Sequence, residues 1–152
     1  MSDGQLETIE TNRMQVLSEF AAAGWVHQNR ERFRLGLYGT NIIIASSGPD
    51  GVWSGSLLFE RANLGAVTKL LGEVLNGRLY DENRDYLGVV AGRDEFGVSA
   101  QAPRGTLTLS LYNNRPARMD GGQTSAWNLS VAPDTALKLY VELKRLGEQG
   151  TV

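Results

Sequence analysis

Apolar residues recur along this chain in two alternating rhythms. Arg32-Phe33-Arg34-Leu35-Gly36-Leu37-Tyr38 switches between polar and apolar at every step, the period of a strand with one buried face. Asn41 to Ala45 contains three consecutive isoleucines, and β-branched residues favour a second strand. Ser46-Ser47-Gly48-Pro49-Asp50-Gly51 is turn chemistry, after which Trp53 to Phe59 returns as a strand. The spacing then becomes helical: Val67, Leu70, Leu71, Val74 and Leu75 predict a helix over 62–76, closed by Gly77. With Gly24 to Gln28 as an opening strand, residues 24–77 read ββββα.

The same order returns downstream. Strands are predicted at Tyr86 to Ala91, Asp94 to Gln101, Gly105 to Tyr112 and Ser125 to Val131. A helix follows from Pro133 to Leu146, with Pro133 at its first position, where a missing donor costs nothing, and Gly147 as its stop. At one constant offset Leu57 falls on Leu129, Phe59 on Val131, Val67 on Leu139, Leu71 on Leu143 and Val74 on Leu146. At a second offset Val26 falls on Val89, Phe33 on Phe96 and Leu35 on Val98. The difference is taken up by the polar segment Asn113 to Gln123, read as a lengthened loop. The expected fold is α+β: two tandem ββββα repeats (24–77 and 86–147) forming one domain over 24–152, with antiparallel sheets packed with helices and a related pair of halves. Residues 1–23 stand outside the repeats. Ile9, Val16, Leu17 and Phe20 recur there at helical spacing, which predicts an amphipathic N-terminal helix or arm covering the domain or a neighbouring subunit, hence a homo-oligomer.

Composition narrows the function classes. A chain of 152 residues can bury roughly 70% of its unfolded surface without staples, and with no cysteine it has neither disulfides nor thiolate metal sites. No apolar run is long enough to span a bilayer and no signal peptide is visible, so an intracellular, cytoplasmic location without a membrane partner is expected. The single histidine, His27, has no companion ligand for a metal. Asp81/Glu82 and Asp94/Glu95 lie in polar connectors as solvated charge. There is no nucleophile elbow, phosphate loop or zinc-protease motif; no enzyme, cofactor or metal is expected. A net charge of −2, from 15 basic and 17 acidic residues, argues against a uniformly basic nucleic-acid binder.

The candidate chemistry lies on the sheet faces turned away from the helices. If Phe33, Leu35 and Leu37 face inward, Arg32, Arg34 and Tyr38 face outward. If Leu107, Leu109 and Leu111 face inward, Thr106, Thr108 and Tyr112 face outward, with Arg104 before that strand and Arg115 and Arg118 in the loop after it. Guanidinium groups neutralise phosphates and stack, tyrosines offer platforms for unstacked bases, and hydroxyls bond phosphate or base edges. Trp53 shares parity with Leu57 and Phe59, and Trp127 with Leu129 and Val131, which assigns both to the core unless a bulge reverses the parity.

Leu57-Leu58-Phe59 through Leu75, and Asn128-Leu129-Ser130-Val131 through Leu146, each have the form of a strand, a short break and an amphipathic helix. In this the chain, over residues 24–147, resembles the Whirly and PUR-repeat group of single-stranded nucleic-acid-binding proteins. It has neither the lysine-rich strand motif of Whirly proteins nor the basic balance of PUR repeats. The resemblance implies single-stranded DNA or RNA crossing the strands that carry Arg32, Arg34, Tyr38, Arg104, Thr108 and Tyr112. The expected function is therefore non-catalytic single-strand binding. The alternatives are a structural or assembly protein that self-associates through its sheets and N-terminal helix, and an enzyme subunit or fold-level relative with a ligand pocket between the repeats.

Overall fold

The computed structural model describes residues 13–22, 30–84, 86–91, 94–101, 108–116 and 124–149. Among these described residues eight strands and three α-helices follow in the order β1 (Gln15–Ala21), β2 (Arg32–Tyr38), β3 (Asn41–Ser47), β4 (Trp53–Glu60), α1 (Leu64–Leu75), α2 (Arg78–Asp81), β5 (Tyr86–Ala91), β6 (Asp94–Gln101), β7 (Thr108–Pro116), β8 (Thr124–Val131) and α3 (Pro133–Gln149). The strands form two four-stranded antiparallel sheets, ordered β1-β2-β3-β4 and β5-β6-β7-β8. The fold is α+β. Sequential strands are neighbours throughout, so each sheet is a meander: Gly39 and Thr40 form the tight loop between Tyr38 and Asn41, and Gly77, at φ 96°, ends α1 in the left-handed conformation that favours glycine.

One core serves both sheets. Phe33, Leu35, Ile42, Ile44, Leu57 and Phe59 from the first sheet join Leu87, Phe96, Val98, Leu129 and Val131 from the second. Val67, Leu70, Leu71 and Val74 of α1 and Ala136, Leu139 and Leu143 of α3 belong to the same cluster. The helical spacing predicted from sequence is thus the buried stripe of each helix. Phe59 meets Phe96 edge to face at 6.1 Å between ring centroids, joining the two sheets directly. The helices also touch each other closely. A Cβ added to Gly72 of α1 would lie 2.8 Å from the Tyr140 ring of α3.

Three expectations change. Residues 15–21 are not helical; they form β1, which pairs with β2 from Gln15↔Leu37 to Ala21↔Arg32. The reason is a bulge: the register shifts between Val16 and Ser18, so Leu17 is an extra residue. It turns a two-residue alternation into the spacing of Val16, Leu17 and Phe20 that imitates a helix. Phe20 stacks on Phe33 at 5.4 Å, so this segment is an edge strand of the first sheet and not a separate arm. The predicted strand Gly24 to Gln28 and Ile9 lie outside the described residues. Phe20, not Val26, therefore stands opposite Phe33 as Val89 stands opposite Phe96. Second, β7 runs on to Pro116, paired with Thr124, so Arg115 is in a strand where the sequence suggested a loop. Third, α3 continues through Gly147 to Gln149.

The connector before β5 is built rather than merely solvated. Arg78 pairs with Glu73 on α1 and, at 2.5 Å, with Glu82, and both carboxylates raise its already high pKa, Glu82 most. Leu79 beside it is buried.

Because neither inner face is covered by its own helix alone, the halves should not unfold separately. Phe59→Ala is expected to cost about 3–5 kcal/mol and to leave one cooperative transition in urea when tryptophan fluorescence and far-ultraviolet circular dichroism are followed together. Two separated transitions would show independent halves.

Candidate nucleic-acid interface

Alternation from the core residues assigns the outer face of the first sheet. Opposite Phe33 and Leu35 in parity are Arg32, Arg34, Gly36 and Tyr38, all placed outward as the sequence predicts. They do not act as one surface. At mid-sheet, Ile43 and Leu58 pair across strands on this face and are both buried at 1% exposure, while Met14 lies against Gly36, where a Cβ would come within 2.7 Å of its Sδ. Tyr38 is half-buried at the far end of β2, about 13 Å along the strand from Arg34 at 3.3 Å per residue. The structure brings Arg32 and Arg34 together and leaves Tyr38 apart from them.

Trp53 joins the arginines. β4 carries a bulge where Ile44 pairs with Leu57 but Ala45 pairs with Gly55, so Ser56 is the extra residue and the parity of everything before it reverses. Trp53 consequently pairs with Ser47, and Ser47 with Arg32, on the outer face. The expectation of a core Trp53 is corrected by the bulge. Its ring receives the Arg34 guanidinium at 4.0 Å from the centroid, a cation–π contact. The signal was in the sequence: Gly55 inside a strand pattern marks a bulge.

Glu19 on β1 completes the group. Cross-strand pairing sets it opposite Arg34, whose Nε donates to Glu19 Oε2 at 2.9 Å, and Arg32 Nη2 donates to Oε1. The Arg34 hydrogen bond is the main cause that holds the Glu19 carboxyl below its ordinary value; desolvation opposes it, and Arg32 adds to it. Glu19, Glu31, Arg32, Arg34, Ser47, Trp53 and the turn residues Gly48, Pro49 and Gly51 line an open depression of about 410 Å³. Ladder bonds shape its rim: Glu31 N–H donates to Ser47 O at 2.8 Å and Ala22 N–H to Glu31 O at 2.7 Å.

On the second sheet, Leu109 pairs with Val131 and Leu111 with Leu129, so positions 108, 110 and 112 belong to the outer face. Thr108 and Tyr112 are at outer positions, and position 115 falls on the inner parity. Arg104, Thr106 and Arg118, like His27, lie outside the described residues. An aromatic that the sequence reading did not single out occupies this face. The Tyr86 ring covers the cross-strand glycines Gly88 and Gly97, where an added Cβ atom would run into its hydroxyl oxygen, and that hydroxyl donates to Glu95 at 2.8 Å. Glu95 is thereby engaged and not just solvated. Tyr112 is the register partner of Gly97.

Among the described residues no group of three or more histidines, cysteines or carboxylates could hold a metal, and no helix is long and apolar enough to cross a membrane. The Glu19 ion pairs contribute stability above the ordinary carboxylate range and lose it as pH falls through the lowered folded value. In a carboxyl-detected NMR titration Glu19 should therefore titrate below an ordinary glutamate, and Arg34→Ala should move it upward more than Arg32→Ala. Equal titration in all three proteins would remove the pairing as the cause. Compared with protein-family models and with curated protein sequences, the chain matches none.

Proposed function

We propose that the protein binds single-stranded nucleic acid, without catalysis, across the outward faces of its sheets. The observation that carries this reading is the Arg32–Arg34–Trp53 group. An indole with a guanidinium against it and a second arginine, its side chain 62% exposed, on the same open face supplies a stacking platform and phosphate contacts within one nucleotide's reach. The Tyr86 ring over Gly88 and Gly97 supplies a second aromatic area on the other sheet. An unstacked base can reach such platforms, whereas a duplex keeps its bases inside. With so few cations, affinity rests more on stacking than on counterion release, and the salt dependence is shallow.

The edge strand β1 favours a second reading. Val16 and Leu17 there are 46% and 37% exposed, and an apolar sheet edge can pair with another copy. A homo-oligomer and an intracellular setting are both compatible with single-strand binding.

Fluorescence anisotropy with an unstructured oligonucleotide tests the proposal. Replacing Trp53 by alanine should cost about 1–3 kcal/mol of binding with little change in salt slope, while Arg32→Ala should weaken all sequences alike and flatten the slope. Wild-type affinity in the Arg32→Ala/Arg34→Ala/Trp53→Ala variant would refute the site. A stable oligomer that binds no oligonucleotide would support the edge-pairing reading instead.

A further inference from the structure

We propose that Glu19 is a built-in competitor for the nucleic-acid phosphate: its carboxylate occupies the two guanidinium groups in the place a phosphate would take, and ligand binding exchanges one anion for the other. This rests on the reading of the Arg32–Arg34–Trp53 face as a single-strand site. Three observations carry it.

First, the geometry is that of an anion seat. One carboxylate bridges two arginines, Oε2 to Arg34 Nε at 2.9 Å and Oε1 to Arg32, and charge-assisted contacts of this kind are those guanidinium groups make with phosphate oxygens. Second, the seat opens to solvent. The depression is wide at its mouth, and the exposed side chain of Arg32 can turn to an incoming ligand while Arg34 stays against Trp53. Third, the competitor belongs to a different element from the arginines. Glu19 is on β1, the edge strand, two residues past the bulge at Leu17 and in register with Arg34, so its side chain can turn away without disturbing the strand that carries both cations. The charges facing the seat are Arg32, Arg34 and Glu19, with Glu31 of the connection before β2 at the rim; two cations and two carboxylates leave no net attraction for a phosphate until Glu19 yields.

The consequence is selectivity. A bare phosphate offers nothing beyond what Glu19 already supplies to the arginines, whereas a nucleotide adds a base to stack on Trp53. Only ligands that present both groups displace the carboxylate with advantage, which suppresses polyanion binding.

Glu19→Gln keeps the shape and one acceptor for Arg34 Nε but removes the charge. Anisotropy titrations with an unstructured oligodeoxynucleotide and with inorganic polyphosphate are compared for wild type, Glu19→Gln, Arg32→Ala and Glu19→Gln/Arg32→Ala. The variant should bind the oligonucleotide about tenfold more tightly and steepen the salt slope by about 0.7, one further phosphate neutralised on a single strand. Polyphosphate binding should rise by a larger factor, narrowing selectivity, and the gain should shrink when Arg32 is also removed. Should Glu19→Gln fold poorly by circular dichroism, Glu19→Asp, one methylene shorter, should give the same sign at smaller size. Unchanged or weaker oligonucleotide affinity in Glu19→Gln, with Arg32→Ala still weakening binding, overturns the competitor role alone. Indifference of binding to both Arg32 and Glu19 overturns the single-strand site and the competitor with it.

Discussion

The structure depends on one constraint: two four-stranded sheets must bury their inner faces against the same pair of helices. A single sheet of this size with one amphipathic helix would leave apolar surface in water, and layers are stable only when each apolar face finds another. Here the faces meet directly at Phe59 and Phe96 and indirectly through α1 and α3, whose closest approach is allowed by the missing side chain of Gly72 beneath Tyr140. Lys138 of α3 even reaches the carbonyl oxygen of Ala21 at the end of β1, at 3.3 Å. The first half is thus tied to the second at core and edge, and the outer sheet faces carry whatever chemistry the fold does not consume.

Those outer faces are less open than alternation implies. In the first sheet, the buried pair Ile43 and Leu58 and the close contact of Met14 with Gly36 take the middle of the face. The end bearing Arg32, Arg34 and Trp53 brings guanidinium groups and an aromatic ring together. Even there the two guanidinium charges are balanced by the carboxylates of Glu19 and Glu31, in a chain whose net charge is −2. Stacking, not a basic field, is the interaction such a surface can use without attracting every polyanion.

The inner faces were legible in the sequence because burial imposes a period. Phe33 and Leu35 and the stripes of both long helices follow from spacing alone, whereas the run Ile42-Ile43-Ile44 has no alternation and needed the register to divide it between the two faces. What was not legible lies at two bulges. The extra Leu17 made β1 look helical, and no glycine marked it. The extra Ser56 moved Trp53 from the expected core to the outer face, and Gly55 did mark it. A bulge changes one residue's pairing but the parity of every residue before it, so a local feature worth little energy rearranged the candidate site. The Glu19 contact could not be read at all, since pairing a carboxylate with residues more than ten positions away requires the β1–β2 register.

The two sheets also show where sequence freedom resides. In each, a phenylalanine points into the core from the second strand, Phe33 or Phe96, and its partner in the first strand is apolar, Phe20 or Val89. The next residue faces outward, and there the sheets part: Arg34 in one, Gly97 in the other. Arginine at that position reaches Trp53 and Glu19. Glycine instead admits the Tyr86 ring, anchored through Glu95, the covering of a strand glycine by a cross-strand aromatic. The shared core fixes the inward residue in both sheets, while the outward one is limited only by solubility and by what it must touch. A charged stacking pair on one face and a ring laid over glycines on the other are therefore alternatives that a single inner architecture tolerates.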